Sequence, residues 1–498
     1  MKKVLNSREM KACDAFTIHQ MLVPSAVLME KAALAVKEVL VEAYGKTGSF
    51  LVLCGSGNNG GDGFAVARLL LLEGIAADVY FAGKEDSLTE DASLQKKIFE
   101  NYGGKLCRNP DFCEYTVIVD AIFGIGISRP VTGSLAGLFE QVNASGKPVA
   151  AVDMPSGISS DTGQIMGTAI RAELTVTFSF LKRGQLLYPG AEYCGKLCLK
   201  DIGITAEAFE EDYLFAKTFE TADLKLLPER RLRSNKGSYG RALVVGGALN
   251  MAGAVLLAAS AAYRTGCGLV QILSDEGNRN ILQSGLPEAL FLPWQQEDGL
   301  QAALTKAEAA AIGPGLGTSS QADLLLKRIL DIREGPLVLD ADALNLLAVR
   351  PDVLRKTKAQ VIITPHPGEM ARLTGKEIGQ ILDHLVETAM EFAGRYGVIC
   401  VLKDAGTVVT DGKQLYINST GNPGMSTGGS GDVLTGIICS LLAQGMKPYD
   451  AACLGVYLHG LAGDEAAGRQ GIRGMTAGDI ASCINAVLTE KTDTMQRR

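Results

Sequence analysis

The chain has 498 residues, 47 % of them hydrophobic and 58 of them glycine, with a net charge of −7. That length is more than one hydrophobic core supports and implies two to four domains. The negative balance excludes nonspecific binding to nucleic-acid phosphates. No apolar run is long enough to span a bilayer, and the start "MKKVLNSREMKACDAF" lacks the apolar core of a secretory signal. Eleven scattered cysteines without a CxxC pair fit reduced thiols, and neither they nor four dispersed histidines show metal-ligand spacing. A cytoplasmic protein with no membrane contact is expected.

From residue 49, apolar strands alternate with helical stretches: "SFLVLCGSG", "AADVYFAG", "YTVIVDAIFG", "KPVAAVDMPSG" and "LTVTFSFLKRG". Each ends in a polar or glycine-rich turn. The alternation predicts an α/β block with a mostly parallel, doubly wound sheet, whose ligands lie outside the carboxyl ends of the strands.

The first such turn reads "CGSGNNGGDGFAVARLL" over 54–70, and Gly55 to Gly60 literally match GxGxxG. A dinucleotide fingerprint keeps its side chains small so that pyrophosphate can approach. Asn58, Asn59 and Asp62 break that rule and point to side-chain contacts. Two later strand ends carry carboxylates, Asp120 in "VIVDAIFGIGISRP" and Asp153, with Ser156, in "AAVDMPSG". Either aspartate alone could be a helix cap. Three polar turns at corresponding sheet ends favour one site.

Around 205–230 the pattern turns charged and irregular, and a domain boundary is placed there. A second α/β block follows, with "RALVVGG", "LVQILS", "EAAAIGPGLG", "PLVLDADAL", "AQVIITPHPGE" and "GVICVLKDAGTVVTDG". Its turns offer flexible backbone at 313–317, carboxylates at 339–345, His366 between two prolines, and Lys403. The last is "GNPGMSTGGSGDVLTG" over 421–436, with six glycines and one carboxylate, Asp432. Where such a loop opens a helix, free N–H groups and the helix's positive end converge on a phosphate-sized point. Asp432 is then either the N-cap of a helix starting near it or a base beside a bound phosphate.

Taken together, "GNPGMSTGGSGDVLTG", "HPGE", "GPGLG", "SNKGSYGRALVVGG" and "NMAGAVLLAASAAYRTGCGLV" resemble the ADP-dependent NAD(P)H-hydrate dehydratases over about 230–490, a branch of the ribokinase-like fold. The resemblance implies that Ala254, Gly317, His366 and Asp432 contact the hydrated dinucleotide, with Asp432 catalytic. It further implies that Lys403, Asp404, Ala405, Gly406, Thr407 and Gly431 contact ADP or AMP, with Mg2+ assisting. Ser426 stands where the family commonly has alanine, and Asp404 where glycine is usual.

The first block is similar to the YjeF N-terminal family of NAD(P)H-hydrate epimerases, which has a Rossmann-like fold. That likeness implies substrate contacts from Asn58, Asn59, Gly60, Gly61 and Asp62, from Gly124, Ile125, Gly126, Ile127, Ser128, Arg129 and Pro130, and from Asp153. It implies a potassium ion on Asn59, Asp120 and Ser156, and Asp153 as the acid/base. The whole chain thus resembles fused hydrate-repair enzymes, with an epimerase over 1–225 and a dehydratase over 226–498. Its expected partners are small molecules, namely NADH and NADPH hydrates and ADP, and a homo-oligomer is left open. Two alternatives stand beside this reading: an ATP-dependent kinase of a sugar or vitamin, and a first block that senses a dinucleotide without turning it over.

Overall fold

The computed structural model describes residues 1–496, and they form two compact units, Lys2–Ala216 and Lys217 onward, with Met1 grouped with the second. The first unit is built on a seven-stranded, wholly parallel sheet. Its spatial order is Leu106–Cys107, Ala76–Phe81, Ser49–Cys54, Val117–Ala121, Val149–Val152, Leu174–Phe178 and Lys196–Lys200. The chain starts at Ser49–Cys54, winds outward to one edge, then returns to Val117–Ala121 and winds to the other. The turns after those two neighbouring strands diverge and leave a crevice at the switch point.

Close backbone approach shapes that crevice. The helix Asn58–Leu72 begins directly after the Gly55–Gly57 turn. A Cβ at Gly60 would lie 2.0 Å from the Gly55 carbonyl oxygen, and one at Gly63 would lie 2.6 Å from Ala121 Cβ. Side chains there would lift the helix off the sheet, so these glycines set its position.

The second unit repeats the winding. Seven parallel strands run in the order Leu290–Pro293, Leu269–Ser274, Arg241–Val245, Ala309–Ile312, Leu337–Leu339, Val361–Ile363 and Ile399–Leu402, and the antiparallel strands Val408–Thr410 and Leu415–Ile417 continue beyond the last. Here the switch-point turns are zipped together. Gly247 N donates to Pro314 O at 2.9 Å and Ala248 N to Gly315 O at 2.6 Å.

The expected α/β folds with doubly wound sheets are therefore present in both units. Among the described residues the sequence reading missed six strands: Leu106–Cys107, Lys196–Lys200 and Leu290–Pro293, which are sheet edges, and Lys2–Leu5, Ala216–Thr218 and Leu415–Ile417, which are only three or four residues long. An edge strand is short or charged because one side is unpaired, and both traits blur the apolar run by which interior strands are recognised.

One contact in the second unit is a direct test of the packing. The helix Ser430–Ala443 is buried from Val433 to its end and lies against Ala252–Arg264. A Cβ at Gly436 would sit 2.0 Å from Ala258 O. Gly436→Ala should therefore cost about 1–3 kcal/mol, the usual price of overpacking, read as a lower urea midpoint. An unchanged midpoint would show that the two helices can separate freely.

Candidate active sites

In the first unit the crevice is a cavity of about 670 Å3. Asn58, Asn59, Asp62, Gly124, Ile125, Gly126, Ile127 and Asp153 line it, joined by Asp14, Asp91 and Lys182. Gly60 and Gly61 do not line it; they are buried against Gly55 and Met29 and act through backbone position. Ser128, Arg129 and Pro130 are exposed beyond its rim.

Asp153 is held from every side. Its φ is +63°, a left-handed conformation unfavourable for a residue with a Cβ. The strain persists because its N–H donates to Val176 O at 2.8 Å and its carbonyl accepts from Gln185 Nε2 at 2.7 Å. Its Oδ1 accepts from Thr177 Oγ1 at 3.1 Å and from Lys182 Nζ. Lys182 is 1 % exposed and donates also to Thr177 Oγ1 at 2.8 Å and Phe178 O at 3.3 Å, which uses all three ammonium protons. No described residue bonds Asp153 Oδ2, so that oxygen is the one left for a ligand.

The surroundings are acidic. Burial pushes the Asp62 carboxyl well above the usual range, and Asp153, Asp14 and Asp91 push it further. Asp14 is raised by burial and then by Asp153 and Asp91. Lys182 is the cation set directly against this cluster, and the sequence reading missed it. Its signal was a lysine closing the otherwise apolar stretch "LTVTFSFLK", where a charge needs a buried partner.

Asp120 and Ser156 lie behind the cavity lining. Asp120 Oδ1 accepts from Ser156 Oγ at 2.6 Å and Ile122 N at 3.2 Å, and Oδ2 accepts from Ser156 N at 2.7 Å. All three donors are neutral, the side chain is fully buried, and burial raises its pKa to about 6. The Asn59 amide lies beside Gly124, with Nδ2 buried and unpartnered. A buried carboxylate without a cationic partner, next to hydroxyl and amide oxygens, suits a monovalent cation.

In the second unit the site is organised by Lys403. Its Nζ lies 2.9 Å from Asp340 Oδ1 and 3.9 Å from Glu369 Oε2. Thr435 Oγ1 donates to Asp340 Oδ2 at 2.7 Å. Burial opposes the Lys403 charge, but Asp340 and Glu369 outweigh it and its pKa is raised. A Cβ on Gly431 would sit 3.2 Å from Lys403 Nζ, so glycine keeps this approach open. Gly317, at φ +75°, donates its N–H to Asp342 Oδ2 at 2.8 Å. Ala254 lies beside Gly315 of the same turn. Asp404 to Thr407 form the turn after Lys403, closed by Thr407 Oγ1 donating to Asp404 O at 2.9 Å, and burial raises the Asp404 carboxyl.

The N-cap reading of Asp432 is corrected here. The helix starts at Ser430, its cap is Gly429 at φ +92°, and Asp432 is the third helical residue. Its carboxyl is pushed up to about 7, by burial first and then by Asp340. His366 caps a different helix, Pro367–Thr374: its Nδ1 accepts from Gly368 N at 3.0 Å and Glu369 N at 3.3 Å, while Glu369 Oε2 accepts from His366 N at 2.8 Å. These bonds fix the neutral ring with its proton on Nε2, and burial followed by Lys403 and Arg372 lowers its pKa.

Asp340, Glu369 and Thr435 escaped the sequence reading as site residues, although "LDADALN" and "HPGE" displayed two of them. His459, which lies 3.3 Å from Ser430 Oγ, gave no signal beyond a lone histidine in an apolar helix.

Comparison with known proteins covers both units. The family described as YjeF-related protein N-terminus matches residues 25–184, and that described as NAD(P)H-hydrate dehydratase matches 242–486. A bifunctional NAD(P)H-hydrate repair enzyme Nnr of Moorella thermoacetica is 39 % identical, covering 97 % of this chain and 96 % of its own. The protein of the same name from Escherichia coli is 38 % identical, covering 94 % and 90 %. Among solved structures, an ADP/ATP-dependent NAD(P)H-hydrate dehydratase from Bacillus subtilis, co-crystallised with ATP and Mg2+, is 30 % identical. It has a TM-score of 0.50 and covers 55 % of this chain and 99 % of that one.

The Lys403–Asp340 pair is testable by stability alone. Asp340 is 1 % exposed, so Lys403→Met strands a buried carboxylate, at a cost of about 3–5 kcal/mol for a broken buried pair. Urea unfolding at neutral pH should show that loss; a change within ~0.5 kcal/mol, the range of ordinary surface substitutions, would mean that water already solvates Asp340.

Proposed function

The chain belongs to the bifunctional NAD(P)H-hydrate repair enzymes, and from that premise we propose how its two units share one repair. The first unit interconverts the R and S hydrates of NADH and NADPH. The second dehydrates the S form at the expense of ADP, releasing NAD(P)H, AMP and phosphate. The observation that supports this most is Asp432, a half-buried carboxyl with a pKa pushed up to about 7 near the Lys403 ammonium, at the start of a glycine-opened helix. A sugar or vitamin kinase and a non-catalytic sensor, both open at the level of motifs, are disfavoured by relatives that match almost the whole chain.

The substrate is a hemiaminal: its C6 hydroxyl sits beside the ring nitrogen and is a poor leaving group. Asp432 takes the hydroxyl proton as the oxygen attacks the β-phosphoryl of ADP, and AMP leaves. Lys403 and the N–H groups at the start of the Ser430–Ala443 helix offset the phosphoryl charge. The C6–O bond then breaks with phosphate as the leaving group, the nitrogen lone pair moves in, and loss of a C5 proton restores the ring. His366, with its Nε2–H free of the cap, and Gly317 position the nicotinamide end. Mg2+ bound with ADP would screen phosphate charge. Among the described residues no cluster of three or more His, Cys, Asp or Glu makes a dedicated cage, so it would enter on the nucleotide.

In the first unit no nucleotide is consumed. Asp153 Oδ2 handles the proton as the C6 oxygen leaves and returns on the other face. Lys182 and Thr177 bind Oδ1 and so orient the carboxylate. A potassium ion would be held by Asp120, Ser156 and Asn59, supplying the positive charge that the buried Asp120 lacks.

Two expectations follow for the full-length protein. Asp432→Asn should lose at least about a hundredfold in ADP-dependent dehydration, as expected for a removed base, while epimerase rate and ADP affinity hold. The wild-type dehydratase rate should also fall as pH drops through about 7, where Asp432 takes up a proton. A variant retaining more than about a tenth of the rate returns Asp432 to a structural role.

For the first unit, Asp153→Asn should abolish epimerisation with dehydration intact. Lys182→Met should slow epimerisation by about 10²–10³, through kcat with KM nearly unchanged, because Lys182 orients Asp153 without lying at the free Oδ2. An unchanged kcat would show that Thr177 and the backbone bonds orient Asp153 without the lysine.

A further inference from the structure

The second unit holds another cavity, of about 200 Å3, beyond the residues assigned above. Ala248 and Leu249, Asp275, Trp294, and Leu316 and Ser319 line it, from the turns or helix starts that follow four different strands. All lie at the carboxyl ends of the sheet, on the same side as the reaction site.

Sheet order gives this cavity a direction. Lys403 ends the strand Ile399–Leu402, on the ADP side. Going the other way, Asp340 follows Leu337–Leu339, Gly317 follows Ala309–Ile312, and Ala248 and Ala254 follow Arg241–Val245. Asp275 then follows Leu269–Ser274 and Trp294 follows Leu290–Pro293. Four strand steps separate Leu337–Leu339 from Leu290–Pro293, which is about 19 Å at the usual ~4.8 Å spacing. A dinucleotide with its reacting ring between Gly317 and His366 has ADP on one side. Its remaining half has the strand ends toward Asp275 and Trp294 on the other.

The lining suits a nucleoside. Trp294 Nε1 is buried with no acceptor among the described residues, an available donor for a heterocycle. Leu249 is 61 % exposed, an apolar lip with nothing over it. The Asp275 carboxylate accepts from Gly277 N at 2.9 Å and Gln295 Nε2 at 3.2 Å, and among the described residues no Lys, Arg or His lines the cavity. Such a carboxylate can accept from ribose hydroxyls and repels a phosphate ester.

We propose that this cavity receives the adenosine end of the dinucleotide hydrate, and that Asp275 biases the dehydratase toward the form without a 2′-phosphate. The proposal rests on the dehydratase reading above. Its test is dehydration of S-NADH and S-NADPH hydrates by the full chain, together with fluorescence of Trp294, the sole tryptophan, titrated with NADH and NADPH. Asp275→Asn can still accept from Gly277 N and should fold. It should raise kcat/KM for NADPH hydrate about tenfold, through KM, with the NADH-hydrate value nearly unchanged. NADH should quench Trp294 at lower concentration than NADPH, and Trp294→Phe should raise KM for both hydrates with kcat steady. Turnover with an unchanged NADH-to-NADPH ratio in Asp275→Asn and no quenching of Trp294 would overturn the cavity assignment. Quenching with the expected preference but no turnover of either hydrate would support the cavity and overturn the dehydratase reading instead.

Discussion

Each site depends on one ammonium bonded to a carboxylate in an acidic crevice. Lys182 is bonded to Asp153, which acts on Asp14 and Asp62, and Lys403 is bonded to Asp340, with Glu369 and Asp432 also acting on it. The lysine offsets part of the like charge gathered in each crevice. In the first unit Lys182 holds Asp153, the proposed acid/base, in one orientation. In the second, Lys403 is committed to Asp340, and the free Asp432 is left with a pKa near 7. A base whose pKa sits near the working pH is both available and strong enough to take a hydroxyl proton.

The crevices exist because both sheets wind the same way. In each unit the first strand of the sheet lies beside the fourth; the two following turns diverge over a gap in the first unit and are hydrogen-bonded to each other in the second. Small residues then decide how tightly the gap closes. Gly55 and Gly60 in the first unit, and Gly246 and Gly315 in the second, allow contacts that a Cβ would forbid; the distance from a Cβ at Gly246 to Pro314 O would be 2.0 Å. The high glycine content is thus partly a geometric requirement of two switch points.

Much of this was legible in the sequence, and the failures have physical causes. Interior strands announce themselves by unbroken apolar runs, and every motif quoted from a strand end falls at one. Three of the missed strands are edges, where pairing on one side relaxes the pattern, and the others are only three or four residues long. Asp432 was located, but not its role in the helix, because a run of glycine and serine leaves the first residue of the helix undefined by composition. Asn58, Asn59, Asp62 and Asp153 do meet in one cavity, whereas Ser128 to Pro130 stand outside it. Lys182 was passed over for another reason: a lysine closing an apolar stretch signals a buried partner, but that the partners are Asp153 and Thr177 is not written in a single sequence.

The two chemistries set different demands on similar frames. Exchange of a hydroxyl between faces returns to its starting energy, so the first site needs an oriented proton carrier and room for the oxygen to leave and come back. Asp153, strained at φ +63° and bonded through its N–H, its carbonyl and Oδ1, supplies orientation without consuming anything. Dehydration must instead be driven, and the drive comes from a phosphoryl group that converts hydroxyl into a leaving group. That requires a second anionic ligand beside the first, and hence a cation and a row of N–H donors on one flank of the site. On the proposed assignment Lys403 and the Gly429–Ser430–Gly431 turn occupy that flank, which would account for the glycine-rich run, Lys403 and Asp432 coming together in the second unit.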